Sequence, residues 1–306
     1  MKASHHPDYV LSLPPGHPFP MAKYARVHDL LLARGILGAA DVMQPVEAAP
    51  QDLERVHDRE YLERLFGPGP SVEEQRRIGV PWSPRLLRRS RLAVQGTLDA
   101  ARAALAGGLA GNLAGGTHHA FAGRGEGFCV LNDVAVSIRA LQAERAIAHA
   151  LVVDLDVHQG NGTAAIFDGD PAVFTFSIHG ERNYPLHKSR STLDVGLPDG
   201  VGDAAYLEVL ARHLPAILGC FDADVVFYLA GVDVAAGDRY GRFALSDAGI
   251  RARDRFVIDA VRDAGLPLVL TLAGGYAATA ERTAELHVIA FEEATARERR
   301  DAPAAR

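Results

Sequence analysis

Ala150-Leu-Val-Val-Asp154-Leu-Asp156-Val-His158-Gln-Gly-Asn161-Gly162 decides the fold. Its apolar, β-branched run from Leu151 to Val153 reads as a buried parallel strand, which breaks into Asp154, Asp156 and His158 ahead of two glycines. Polar side chains therefore arrive where the strand ends. In an open α/β sheet, ligands bind in the crevice beyond the carboxyl ends of the strands. Asp156 and His158, two residues apart, leave extended chain on the same side, so one carboxylate oxygen and one imidazole nitrogen can meet a single cation. A catalytic zinc takes three protein ligands and keeps one position open, so a third ligand has to come from elsewhere.

Working outward, Asp224 to Ala230 reads as another buried strand, and Gly231-Val-Asp233 closes it with the missing carboxylate. Ala172 to Ile178 is a strand ending in Ser177 and His179, and Pro267 to Leu272 is one ending in Ala273-Gly-Gly-Tyr276. Upstream, a short strand at Asn112 runs into Gly115-Gly-Thr-His118-His119. Adjacent residues on extended chain point opposite ways, so these two histidines are expected to serve two positions around one substrate. The loop Ala122 to Cys129 is glycine-rich but lacks the spacing of a phosphate cradle, which leaves Phe128 as a channel wall.

Helices are expected at Ala22–Ala33, about Asp58–Phe66, about Pro84–Ala106, from Asp133, and at about Ser246–Ala264, with a short strand near Val46. Residues 5 to 21 read as a short strand and then a proline- and histidine-rich loop, either a pocket rim or a surface connector. The chain after about Glu293 reads as a frayed helix end. Strands alternating with helices predict an α/β fold with a mainly parallel sheet, as a single domain over residues 1–306 with its core at about 5–292.

The 306 residues carry 38 acidic and 32 basic side chains, a net charge of −6, which argues against nonspecific nucleic-acid binding as the main role. Two cysteines are too few for a disulfide framework or a cysteine zinc cluster, so a metal falls to His, Asp or Glu, and a reducing cytoplasm fits. No apolar run of membrane-spanning length and no signal-peptide pattern is present. Asp156, His158 and Asp233 thus offer a three-ligand divalent site, most simply for zinc, with iron(II) or cobalt able to use the same ligands. His118 and His119 offer proton transfer and Tyr276 a hydroxyl donor to a developing oxyanion, which together suit amide hydrolysis.

The ordered set Gly115-Gly-Thr-His-His119, Gly127-Phe-Cys129, Asp154 to Gly162, Gly231-Val-Asp233 and Gly274-Gly-Tyr276 resembles the zinc-dependent histone deacetylase family, over roughly residues 5 to 292. His158-Gln-Gly-Asn-Gly162, Gly237-Asp-Arg-Tyr-Gly241 and His17-Pro-Phe19 are most similar to its class IV branch. The resemblance implies a three-layer arginase/deacetylase-like fold around an eight-stranded, mainly parallel sheet. It implies zinc on Asp156, His158 and Asp233. His119 would be the general base and then the acid, oriented by Asn161. His118 would be a protonated partner oriented by Asp154, and Tyr276 would donate to the substrate carbonyl.

Gly127, Phe128, Tyr184 and Tyr240 would meet the substrate, Gly127 through its carbonyl and Tyr240 at the entrance. A structural potassium would sit on Asp154, the Asp156 and His158 carbonyls, Ser177 and the Ile178 carbonyl. Class I members have aspartate where Asn161 stands, which should leave His119 less basic here. The implied reaction is hydrolysis of Nε-acyl-lysine in a protein or peptide, with long fatty acyl chains preferred and small residues such as Gly180 leaving space for them. Alternatives are an acetylpolyamine amidohydrolase acting on a small acylated amine, a two-metal ureohydrolase and a catalytically silent acyl-ligand binding module.

Overall fold

The computed structural model describes residues 1–301. Among these, eight strands form one sheet: β1 (Lys2–Ser4), β2 (Val42–Met43), β3 (Leu109–Asn112), β4 (Ala150–Asp154), β5 (Val173–Gly180), β6 (Leu193–Leu197), β7 (Val225–Leu229) and β8 (Leu268–Thr271). The spatial order is β2-β1-β3-β8-β7-β4-β5-β6, and every neighbouring pair is parallel. β3, β4, β7 and β8 are buried at every residue, as strands covered on both faces must be.

Alternation along the strands sorts side chains into two cores. Val152, Phe227 and Val269 pack with Leu98, Ile138 and Leu141 on one face. Leu151, Val153, Val226 and Leu270 pack with Leu210, Leu214, Val257 and Ile258 on the other. The sheet thus lies between the helices Pro84–Gly107 and Asp133–Ala143 on one side and Asp203–Cys220 and Asp247–Asp263 on the other, the three-layer arrangement expected.

Several local expectations are corrected. Val46 is exposed loop, and the strand nearby is the two-residue β2. The first strand precedes residue 5. The helices Val72–Ile78 and Asp203–Cys220 and strand β6 carry no expectation in the sequence reading. Residues 293–301 do not fray but continue the last helix, Ala280–Asp301, with Glu293, Ala294 and Thr295 buried; the rest of the expected tail, 302–306, lies outside the described residues.

Since all strands run one way, β3, β4, β5, β7 and β8 deliver their downstream loops to one edge of the sheet. Asp133 clamps one of these loops: its carboxylate accepts from the Gly116 and Thr117 amides and from both the Thr97 and Thr117 hydroxyls. Gly116, at φ 74°, has to be glycine, because a Cβ there would lie 2.7 Å from Ala273 at the end of β8.

Candidate active site

Asp156 and His158 do not lie in the strand, which ends at Asp154, so the period-2 argument fails for them. The bend after β4 nevertheless turns both toward Asp233, and one ligand atom from each of the three falls within 4.8 Å of the others. His158 Nδ1 lies 2.9 Å from Asp156 Oδ1 and 3.2 Å from Asp233 Oδ2. The second oxygens are occupied: Asp156 Oδ2 accepts from the Gly274 amide (2.6 Å), and Asp233 Oδ1 from the Val157 amide (2.9 Å).

Asp233 Oδ2 has no hydrogen-bond donor although it is fully buried. Burial and the adjacent Asp156 push the Asp233 carboxyl up to about 7. Burial works against charge on His158, yet the contacts with Asp156 and Asp233 more than offset it and lift its pKa to about 10. Two crowded buried carboxylates, one lacking a donor, and an imidazole nitrogen between them fit a divalent cation, which would take the place of that proton. Gly274 borders the same spot, since a Cβ there would fall 1.9 Å from Asp233 Oδ2.

His118 and His119 sit in a turn rather than on a strand, and both rings face the site, 4.1 Å apart. The expectation that they point opposite ways is therefore corrected. His118 Nδ1 bonds Asp154 Oδ2 at 2.7 Å, and His119 Nδ1 bonds Asn161 Oδ1 at 2.7 Å. Burial lowers both pKa values, but the Asp154 and Asp156 charges lift His118 to about 9. His119 stays well below the usual imidazole range, because burial is reinforced by the His118 and His158 charges and the Asn161 amide offsets little.

Tyr276 is buried with its ring 6.4 Å from that of His158. Its amide donates to Asp238 Oδ2 (2.7 Å), while Asp238 Oδ1 accepts from the Tyr240 and Gly241 amides. Asp238 therefore ties the Tyr276 loop to the Tyr240 loop. A cavity of about 340 Å³ opens above them, lined by Gly127, Phe128, Tyr184, Tyr240 and Tyr276, with His158 at its base. Tyr184 stands edge-on to His119 at 4.9 Å. Three arginines, Arg77, Arg182 and Arg242, also line this outer cavity. A second, inner space of about 30 Å³ is lined by His118, His119, Asp156, His158 and Tyr276 and bounded by Phe19, Tyr24, Arg89 and Cys129. The Pro-rich loop therefore reaches the site through Phe19. Gly180 does not face the channel: a Cβ there would strike the Asn183 side chain, so it supplies no acyl space.

Asp154 and Ser177 face each other across the β4–β5 ladder, and Ser177 Oγ pairs with His179 Nδ1 at 2.9 Å. Ile178 is buried beside them.

Three charged residues behind the site carry no expectation from sequence. Arg253, fully buried, donates through Nη1 to the Leu155 and Gly231 carbonyls, one on the loop that carries Asp156 and His158 and one on the loop that carries Asp233. Lys23, also fully buried, donates to the Ala273 carbonyl (2.9 Å) beneath the Tyr276 ring, and burial lowers its pKa to about 8. Glu126 accepts from Asn161 and Tyr184. Arg253 looks like solvated helix surface in Arg251-Ala-Arg-Asp-Arg255, but the spacing of Ile250, Val257 and Ile258 puts position 253 or 254 on the inner face and is the one available signal.

The histone deacetylase domain model matches residues 17–291. An uncharacterized protein of Picosynechococcus sp. is 47% identical over 273 residues, covering 89% of this chain and 91% of its own. Histone deacetylase 2 of Arabidopsis thaliana is 32% identical (87% and 71% covered), and a histone deacetylase-like amidohydrolase of Pseudomonas aeruginosa is 31% identical (82% and 70% covered). A crystal structure of an HDAC homologue complexed with SAHA superimposes with a TM-score of 0.83 at 24% identity, over 96% of this chain and 84% of that one, which speaks for the fold.

Proposed function

This chain belongs to the histone deacetylase family and is a hydrolase, and on that premise we propose that it is a zinc-dependent Nε-acyl-lysine deacylase of one catalytic domain. The observation that carries the proposal is the meeting of Asp156, His158 and Asp233 with a neutral His119, a charged His118 and the Tyr276 hydroxyl group at the foot of one channel. Zinc on the three ligands would supply Lewis acidity toward water and the acyl carbonyl.

His119, neutral, accepts the proton of the attacking water at Nε2 and returns it to the leaving lysine amine. His118 holds positive charge beside the developing oxyanion, and Tyr276 donates its O–H to that oxygen. Phe128 and Tyr184 enclose the lysine stem, the Gly127 carbonyl accepts from the substrate amide, and Tyr240 guards the entrance. Arg182 at the outer cavity, whose other arginines pair with Glu73 and Asp199, supports a lysyl peptide over a polyamine, whose free ammonium would meet like charge there.

The motif set and Asn161 support a class IV placement. The inner space of about 30 Å³ holds only a few water-sized groups, which favours acetyl or similarly short acyl groups in this conformation over long fatty chains. Potassium beside Asp154 and Ser177 is part of the same proposal, as is a cytoplasmic location, for which the two unpaired cysteines speak. No described helix is long and apolar enough to cross a membrane.

The test is steady-state hydrolysis by zinc-loaded protein of one lysine peptide bearing acetyl, butyryl, octanoyl or myristoyl, with N-acetylputrescine alongside and Tyr276→Phe as control. Fastest turnover of the short acyl peptides, falling roughly 100-fold or more in the variant, is expected. Rates rising with chain length would instead show that the inner space opens. Absence of any Tyr276-dependent turnover would leave an acyl-binding module, and two metal ions per chain would point to ureohydrolase chemistry.

A further inference from the structure

We propose that Glu126 is a positioning residue for the general base: it holds the Asn161 amide in the one orientation that leaves His119 Nε2 free to accept a proton. This rests on the reading of His119 as the base. The two ends of an amide are nearly the same shape but opposite in hydrogen-bonding sense. With Oδ1 toward His119 Nδ1, at 2.7 Å, the ring carries its proton on Nδ1 and presents a lone pair at Nε2. With the amide reversed, its NH2 would face Nδ1, the proton would move to Nε2, and the site would receive a donor where it needs an acceptor. Nothing on His119 itself chooses between these, because a neutral imidazole suits either.

Glu126 makes the choice. Its Oε1 lies 2.7 Å from Asn161 Nδ2, and a carboxylate only accepts. Arg124 pairs with Oε2 at 3.3 Å, and Glu126 itself is only 8% exposed. The Tyr184 hydroxyl donates to the same Oε1 at 2.9 Å, which joins the channel wall to the base. The carboxylate is held in place by a tight turn, with Cys129 N donating to Glu126 O and both central residues at positive φ, Gly127 at 57° and Phe128 at 68°. That turn is in turn fastened by its Gly127 and Phe128 amides to the Arg77 and Ile78 carbonyls at the end of the helix Val72–Ile78. An aspartate in place of Asn161 would have no donor end and no need of this neighbour.

The experiment is nitrogen-15 NMR of histidine-labelled, zinc-loaded protein, with the His119 signals assigned by difference against His119→Gln, together with kcat and KM on an acetyl-lysine peptide. In the wild type His119 is expected as the Nδ1–H tautomer; finding Nε2–H there would overturn the proposal. Glu126→Leu is expected to bring up the Nε2–H tautomer and to lower kcat roughly 10- to 100-fold, with KM changing far less. Tyr184→Phe, which removes only the wall contact, should keep the Nδ1–H tautomer and act mainly on KM. In an Asn161→Asp background Glu126→Leu should no longer lower kcat, because the orientation no longer needs fixing. An unchanged tautomer in Glu126→Leu, or an equal loss in both backgrounds, would overturn the proposal. Should the leucine variant not fold, Glu126→Ser carries the same comparison. A wild type without turnover would remove the reading of His119 as base while the tautomer still decides what Glu126 does to Asn161.

Discussion

His118 and His119 are neighbours in the chain, both are buried, and both bond a side-chain oxygen through Nδ1 at 2.7 Å, yet one is held at about 9 and the other well below the usual imidazole range. The difference lies in the partner. Burial works against charge on His5, His57, His118, His119, His158, His179 and His287, and only at His118 and His158 do contacting carboxylates reverse it. His57 shows the baseline: its Nδ1 faces the Phe121 and Ala122 carbonyls, its Nε2 accepts from the Asn132 amide, and burial takes it to about 4. One chemical group is thus held charged at His118 and neutral at His119 and His57, according to what stands behind it.

The strongest way to break this contrast is Asp154→Asn, which gives His118 the kind of partner His119 has. Loss of the positive charge beside the site should lower kcat roughly 10³-fold, while metal content by mass spectrometry stays at one ion per chain; unchanged kcat would mean that the His118 charge is idle.

A smaller effect is expected at His57, where the sign follows from proton uptake. The unfolded chain binds a proton near pH 6.5 and the folded chain only near 4. The His57 contribution to stability is therefore complete above about pH 6.5 and falls by roughly 3 kcal/mol as pH drops to about 4. Denaturant unfolding of His57→Gln across this range should show a flatter acid limb; an identical limb would place the acid sensitivity elsewhere.

The smallest effect sharpens the rule at a partly exposed pair. His5 stacks on His28 at 4.0 Å, and burial first, then the His28 charge, lowers it to about 4. His28→Gln should raise stability at pH 5 by less than about 1 kcal/mol, since solvent screens the pair; a loss there would show that the stacking outweighs the charge.

The legible parts of the molecule were those whose chemistry and burial coincide. Asp154 to His158, Asp233 and Tyr276 interrupt apolar strands with polar groups, a pattern a single sequence displays. Arg253, Lys23 and Glu126 could not be read the same way, because each is a charge whose burial is decided by carbonyls or side chains distant in sequence. Edge strands failed for a related reason: β2 has two residues and β6 alternates half-buried with exposed positions, so neither presents the apolar run that marked β4 and β7. The helix Val72–Ile78 is a different case. Ser71 and Glu74 form a capping box at its start, a local signal that the sequence does display.

The position of β8 bears on how the chain becomes a protein. Counting along the sheet, β1 to β3 form one edge and β4 to β7 the other, and only β8 pairs with both. During vectorial synthesis the two half-sheets have no ladder between them until Leu268–Thr271 has left the ribosome. His118 and His119 belong to the first half and Asp156, His158 and Asp233 to the second, so the last strand that closes the sheet also completes the candidate site by bringing Tyr276 to it. A nascent chain stopped before residue 268 would hold Asp156, His158, Asp233 and both histidines, with the His118–Asp154 and His119–Asn161 bonds available but no strand ladder joining the two half-sheets.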